Sequence, residues 1–208
     1  MISTSSHNDW QSDKYRTFSI SGNRGKDANY EGNCYPALAP KLEFWKEWHD
    51  NIGKIPDEEN NRYYIQEYWN QVLSKLDPEK VFRDLDDSVL LCYEPNTEFC
   101  HRHIVAAWFE LLLGVKVPEM KANGYQTTEV ERPEYIKQYL DEIIRINKNM
   151  RGFTSLRKNS AKEEFQSNQA VTSTDRAFEG MLREDRQAPK NWFSILINTY
   201  YFLSEPTG

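Results

Sequence analysis

Asp87-Ser88-Val89-Leu90-Leu91-Cys92-Tyr93-Glu94, then Pro95-Asn96-Thr97-Glu98-Phe99-Cys100-His101-Arg102-His103 and the apolar run from Ile104 to Leu113, is the stretch whose reading decides the fold of this chain. Four consecutive apolar residues, Val89 to Cys92, suit a strand covered on both faces. Between Ile104 and Leu113 only Glu110 is charged, so this segment is expected to be a helix packed on nearly every side, with Gly114 as its left-handed stop. A buried strand that turns into a buried helix places its elbow at the carboxyl edge of an α/β sheet, where such folds bind ligands. The elbow itself, Cys92 to His103, carries two thiols, two carboxylates, two imidazoles and one guanidinium.

Working outward, Met1–Ser6 and Tyr15–Ser21 alternate as strands do, with His7 just past the first and the turn Gly22-Asn23-Arg24-Gly25-Lys26-Asp27 after the second. That turn either approaches an anion or is a plain surface loop; it lacks the Gly-Lys-Ser/Thr that closes a P-loop. Pro40 is expected to open a helix with Leu42, Trp45 and Trp48 on one side. Residues 51–60 read as loop, Arg62–Leu76 as an amphipathic helix, and Asp77-Pro78 as the cap and first residue of a short helix. Val115-Lys116-Val117-Pro118 reads as a closing edge strand. The fold class expected is α/β, a small three-layer sandwich with a mostly parallel sheet over residues 1–120, plus a helical C-terminal extension over 121–208. In that extension Pro133 starts an amphipathic helix, 154–175 is a polar linker, and helices are expected over 176–186 and 190–203. The apolar face of the last one implies a homo-oligomer.

Composition removes some functions. A net charge of −6 argues against non-specific nucleic-acid binding, which rests on clustered Lys and Arg. No apolar run reaches the roughly 20 residues that span a bilayer, so no membrane role is expected. An odd cysteine number, Cys34, Cys92 and Cys100, with no leader pattern, leads to the expectation of a reduced, cytoplasmic protein.

The segments Leu90-Leu91-Cys92-Tyr93-Glu94 and Phe99-Cys100-His101-Arg102-His103 resemble the signature of the domain-of-unknown-function 488 family, DUF488, in which Leu-Cys-x-Glu precedes Cys-His-Arg at a helix start. Tyr35-Pro36-Ala37-Leu38-Ala39-Pro40 and Leu76-Asp77-Pro78 are similar to further landmarks of that family, and the likeness spans about residues 1–120. It implies a compact α/β domain with a pocket beside the Cys-His-Arg turn and assigns no reaction. Where members carry Ala-Arg-Gly after the second strand, this chain has Ser21-Gly22-Asn23-Arg24-Gly25.

The chemistry of the elbow leads to a candidate site. Cys100 at a helix N-terminus beside His101 and Arg102 is either a nucleophile with a lowered pKa or a thiol packed under the elbow. Glu94 and His101 are candidates to exchange protons, giving Glu94, Cys100 and His101 as the catalytic set. Arg102 either grips an anion with its planar fork or pairs with Glu94 or Glu98; with Arg24 and His7 it makes the candidate substrate-binding set. Cys92, Cys100, His101 and His103 lack the two separated ligand pairs of a structural zinc, so no metal and no cofactor is assigned. The function expected is an enzyme acting on a nucleotide, nucleoside or other phosphorylated or anionic small molecule. A non-catalytic protein that binds a nucleotide-like molecule and a protein-interaction module are the alternatives.

Overall fold

A computed structural model describes residues 1–149 of the chain. Its axis is the strand β5, Ser88–Cys92, buried at all five positions. On one side β5 pairs in parallel with β1, Ser3–Ser6, in the register Ser3↔Val89 to Ser6↔Cys92. On the other it pairs in parallel with β3, Arg16–Ser19, from Arg16↔Ser88 to Ser19↔Leu91, and β3 pairs with the two-residue β4, Asn33–Cys34. Beyond β1 lies β6, Glu119–Asn123, bonded along its whole length to the antiparallel β7, Gln126–Val130. Because β7 occupies one edge of β6, β1 and the short β2, Trp10–Gln11, share the other: Thr4 pairs with Glu119 and Trp10 with Ala122. The sheet is thus parallel except for its β7 edge, and the expected α/β class with a mostly parallel sheet is what the structure shows.

Successive side chains of β5 point to opposite faces. Leu90 joins the large core built with the helices α1 (Leu42–Asn51), α2 (Asp57–Gln71), α3 (Pro78–Asp84), α4 (His101–Leu113) and the helical residues 135–149, here α5. Val89 and Leu91 face the other way, under Trp10, Tyr15, Tyr30 and Met120. The helix ends follow local chemistry. Asp77 caps α3 by accepting from the N–H groups of Glu79 and Lys80, with Pro78 in the first turn. Gly114 ends α4 at φ 67, and α4 is buried from His101 to Phe109, its apolar residues from Ile104 on as their unbroken run requires. Full burial of a side chain such as Ile104 or Phe109 contributes about 1.5–3 kcal/mol.

Two expectations need revision. The closing strand begins after Pro118, not at Val115; Thr4 N–H donates to Pro118 O at 2.9 Å, and the ladder then runs through Glu119. The polar stretch that follows forms the β6–β7 hairpin, turning at Gly124 with φ 60. The acids of 57–59 start α2 five residues before Arg62, because carboxylates in a first turn complement the helix dipole. The linker at 154–175, the helices at 176–186 and 190–203 and the oligomer expected from them lie outside the described residues. Among the described residues no helix is long and apolar enough to cross a membrane.

Candidate functional site

Because β1, β5 and β3 are parallel, their carboxyl ends reach one edge together. His7 N–H donates to Cys92 O at 2.7 Å and Ile20 N–H to Leu91 O at 3.1 Å, so both outer strands stay bonded to β5 up to the elbow. There the chain opens a cavity of about 460 Å³, within the usual range for small-molecule sites. Its deep end is Cys92, Cys100 and His101, exposed by 2%, 2% and 6%, with Glu94 beside them. Trp48, Tyr64 and Phe99 form one wall, with ring centroids 5.2–5.5 Å apart. Leu42 and Trp45 stand at the mouth, 69% and 37% exposed. Leu42, Trp45 and Trp48, expected on one side of this helix, therefore line the cavity together, and Phe44 is the residue of α1 that enters the core. The opposite rim is the turn after β3, with Ser21, Asn23 and Asp27.

The reactive groups at the deep end are in mutual contact. Cys92 Sγ lies 3.4 Å from Glu94 Oε2 and 3.5 Å from His101 Nδ1. His101 Nε2 is 3.0 Å from Ile20 O, and since a carbonyl only accepts, Nε2 carries a proton and Nδ1 faces the thiol. Cys100 is the N-cap of α4, in extended conformation. Burial works to raise its thiol pKa, yet Cys92, Arg102 and His101 together hold it well below the ordinary value, as does a helix N-terminus. Burial and the charges of Cys100 and Glu94 push Cys92 well up. Glu94 is pushed to about 7, by burial first and by Cys100 second. His101 is raised: burial opposes this, but Cys100 and Glu94 prevail. The cluster therefore concentrates its negative charge on Cys100 and leaves Glu94 poised to hold or release a proton.

The expected catalytic set, Glu94, Cys100 and His101, is thus brought together in one cavity. The expected binding set is not. Arg102 is fully buried: its Nε donates to Glu119 Oε1 at 3.0 Å, and Nη2 stands 3.0 Å from the same oxygen. It meets Glu119 of β6 and is not part of the cavity lining, since a buried guanidinium needs a carboxylate. Its partner is neither Glu94 nor Glu98. Burial disfavours its charge, but Cys100 and Glu119 nearby raise its pKa above the ordinary value. Glu119 also accepts from Thr4 Oγ1 at 2.6 Å and lies 3.5 Å from His103 Nε2. Burial would raise the Glu119 pKa, but His103 and Arg102 lower it. Arg24 is exposed, at φ 63, and does not line the cavity; its turn folds back through Gly25, where a Cβ would stand 2.8 Å from Tyr30. His7 reaches the same sheet edge, half-buried, with its ring centroid 5.1 Å from both Tyr30 and Tyr93 and Nε2 3.4 Å from Ser19 Oγ. Burial, then the charge of Arg102, lowers its pKa. It too stands outside the cavity lining.

Glu119 was not foreseen, and neither were the aromatic wall and Asn23. Glu119 follows a proline in a polar stretch, and only the strand order brings it to Arg102. Residues 13–112 match the family model described as the active DUF488-N3 subclade. No curated protein and no solved structure matches the chain.

Proposed function

Residues 13–112 are a DUF488-family domain, and on that premise we propose that the chain is an enzyme acting on a nucleoside, a nucleobase or a similarly flat small molecule at the cavity of the elbow. The observation that carries this reading is the union, in one 460 Å³ cavity, of an aromatic wall with a deep end of Cys92, Glu94, Cys100 and His101. Planar rings stack on aromatic side chains, and each stacked base is worth about 1–3 kcal/mol. Opposite the aromatic wall the rim is a polar turn whose groups bond to one another: Asn23 Oδ1 accepts from Ser21 Oγ and from Gly25 N–H, and Asn23 Nδ2 donates to Asp27 at 2.5 Å. Glu94 moves protons at the reacting atoms, and Cys100 with His101 forms the centre they meet.

Arg102 is ion-paired with Glu119 and does not line the cavity, whose rim and floor carry Asp27 and Glu94, so an uncharged ring fits this site better than a phosphate. The description of the matched subclade as active is in keeping with an enzyme. The test is to incubate the full chain with a set of nucleosides and free bases and follow binding by quenching of tryptophan fluorescence and turnover by mass spectrometry. Glu94→Gln is expected to abolish turnover while keeping ring binding; Trp48→Ala is expected to weaken binding about 10-fold or more. Binding that survives in Glu94→Gln with no turnover in the parent chain would favour the non-catalytic reading. Failure of every ring to bind would end the proposal.

A further inference from the structure

Nothing in the proposed function explains why two thiols are brought to the same imidazole. One of them, Cys92, satisfies His101 Nδ1 by itself at 3.5 Å. The second, Cys100, arrives from a different element, the N-cap of α4, and the ligand atoms of all three residues lie within 4.8 Å of one another. We propose that Cys92, Cys100 and His101 form a three-ligand site for a zinc-class divalent cation, with its remaining coordination position directed into the cavity. This deepens the enzyme reading of the same cavity and rests on it for the substrate, though not for the metal.

The geometry supports the site in three ways. Thiolate sulfur binds zinc at about 2.3 Å and imidazole nitrogen at about 2.0 Å, so tetrahedral neighbours stand roughly 3.5–3.8 Å apart. Cys92 Sγ and His101 Nδ1 already have that separation, at 3.5 Å, and the ligand atoms of all three residues lie within 4.8 Å of one another. His101 is also held as a ligand should be: Nε2 donates to the Ile20 carbonyl at 3.0 Å, which fixes the tautomer and turns the Nδ1 lone pair toward the two sulfurs. Finally, the donor set is two sulfurs and one nitrogen, which favours zinc over magnesium or calcium, and three protein ligands are the number catalytic zinc sites use. All three residues line the cavity, so the open position faces the space where a ring would lie.

Such a site makes the chemistry hydrolytic. Water in the open position gives one proton to Glu94, whose Oε2 is 3.4 Å from Cys92 Sγ, and its oxygen bonds to an electrophilic carbon of the substrate. The bond from that carbon to its leaving group breaks, and the leaving group takes the proton back from Glu94. The sum is substrate plus water giving two products, with no change in oxidation state.

The test uses the full chain, purified under reducing conditions. Its metal content is measured by elemental mass spectrometry; the protein is then stripped with a chelator and titrated with cobalt(II) and with zinc. The expected result is a single equivalent of metal, a tetrahedral cobalt spectrum with a sulfur-to-cobalt charge-transfer band, and protection of two thiols from a thiol reagent. Cys92→Ser and Cys100→Ser are expected to weaken zinc binding by about 10²-fold or more, and Cys34→Ser, outside the cavity, to leave it unchanged. Parent protein that shows no charge-transfer band and no zinc protection of its thiols overturns the site, whether or not the variants fold. If such protein still binds or turns over a nucleoside, the enzyme reading survives without the metal. Stoichiometric metal in a chain that takes up no ring leaves the metal site standing and removes the substrate reading.

Discussion

Replacing Glu119 with glutamine keeps the shape of the side chain and removes one buried charge. In the parent chain Arg102 is 0% exposed and Glu119 2%, and the pair is closed by two contacts of 3.0 Å, with Thr4 adding a hydrogen bond of 2.6 Å. Breaking a buried pair by removing one partner costs about 3–5 kcal/mol, because the other charge stays behind without compensation. A glutamine oxygen can still accept from Thr4 or Arg102, so the lower end, about 3 kcal/mol, is expected. For a chain of this size that loss lowers Tm by roughly 6–12 °C. The assay is urea and thermal unfolding of Glu119→Gln, Arg102→Leu and the double variant Glu119→Leu/Arg102→Leu, whose apolar pair can pack where the ions stood. The double variant is expected to be more stable than Arg102→Leu alone, since removing both ions spares the orphan charge. A Tm drop under about 2 °C in Glu119→Gln, or a double variant less stable than Arg102→Leu alone, would refute the reasoning.

Other expectations are smaller and local. Glu110 accepts from Val117 N–H at 3.1 Å and pairs with Arg132 at 2.8 Å and Lys137 at 2.9 Å; burial opposes its charge, but Lys137 and Arg132 hold its pKa below the ordinary value. A carboxylate lowered in this way stabilises the fold above its unfolded pKa, about 4.3, and loses that contribution as pH falls through the folded value. The urea midpoints of the parent and Glu110→Gln, well apart at pH 7, should therefore converge on acidification; a constant gap would count against the pairing. Asp77→Ala removes the cap of α3 and is expected to cost about 1 kcal/mol in urea unfolding. Gly114→Ala meets no atom within 4 Å, so its cost, about 1 kcal/mol, comes from the left-handed backbone alone, and an unchanged midpoint would contradict the φ of 67.

What could be read from the letters followed from short-range pattern. The apolar run of β5, the closure of α4 at Gly114 and the capped start of α3 each depend on residues adjacent in sequence, and each stands in the structure. The convergence of Glu94, Cys100 and His101 was legible for the same reason, since one strand-to-helix elbow carries them all. Arg102 was misjudged because its partner is chosen by strand order: parallel pairing of β1 with both β5 and β6 puts Glu119 beside α4, and no local spacing encodes that. Leu42 and Trp45 have the spacing of a core stripe, yet the surface they meet is a cavity. The hairpin over 119–130 has no apolar signature in the sequence, because an exposed two-stranded ribbon needs few apolar residues.

The two flanks of the sheet bear on how copies of this protein behave at high concentration. One flank ends after two paired residues, Asn33 and Cys34, and the other is the mostly polar Gln-Thr-Thr-Glu-Val of β7. A neighbouring chain seeking a ladder to extend would find a stub on one side and a hydrated, acid-bearing ribbon on the other. Growth of this sheet from molecule to molecule is thereby discouraged.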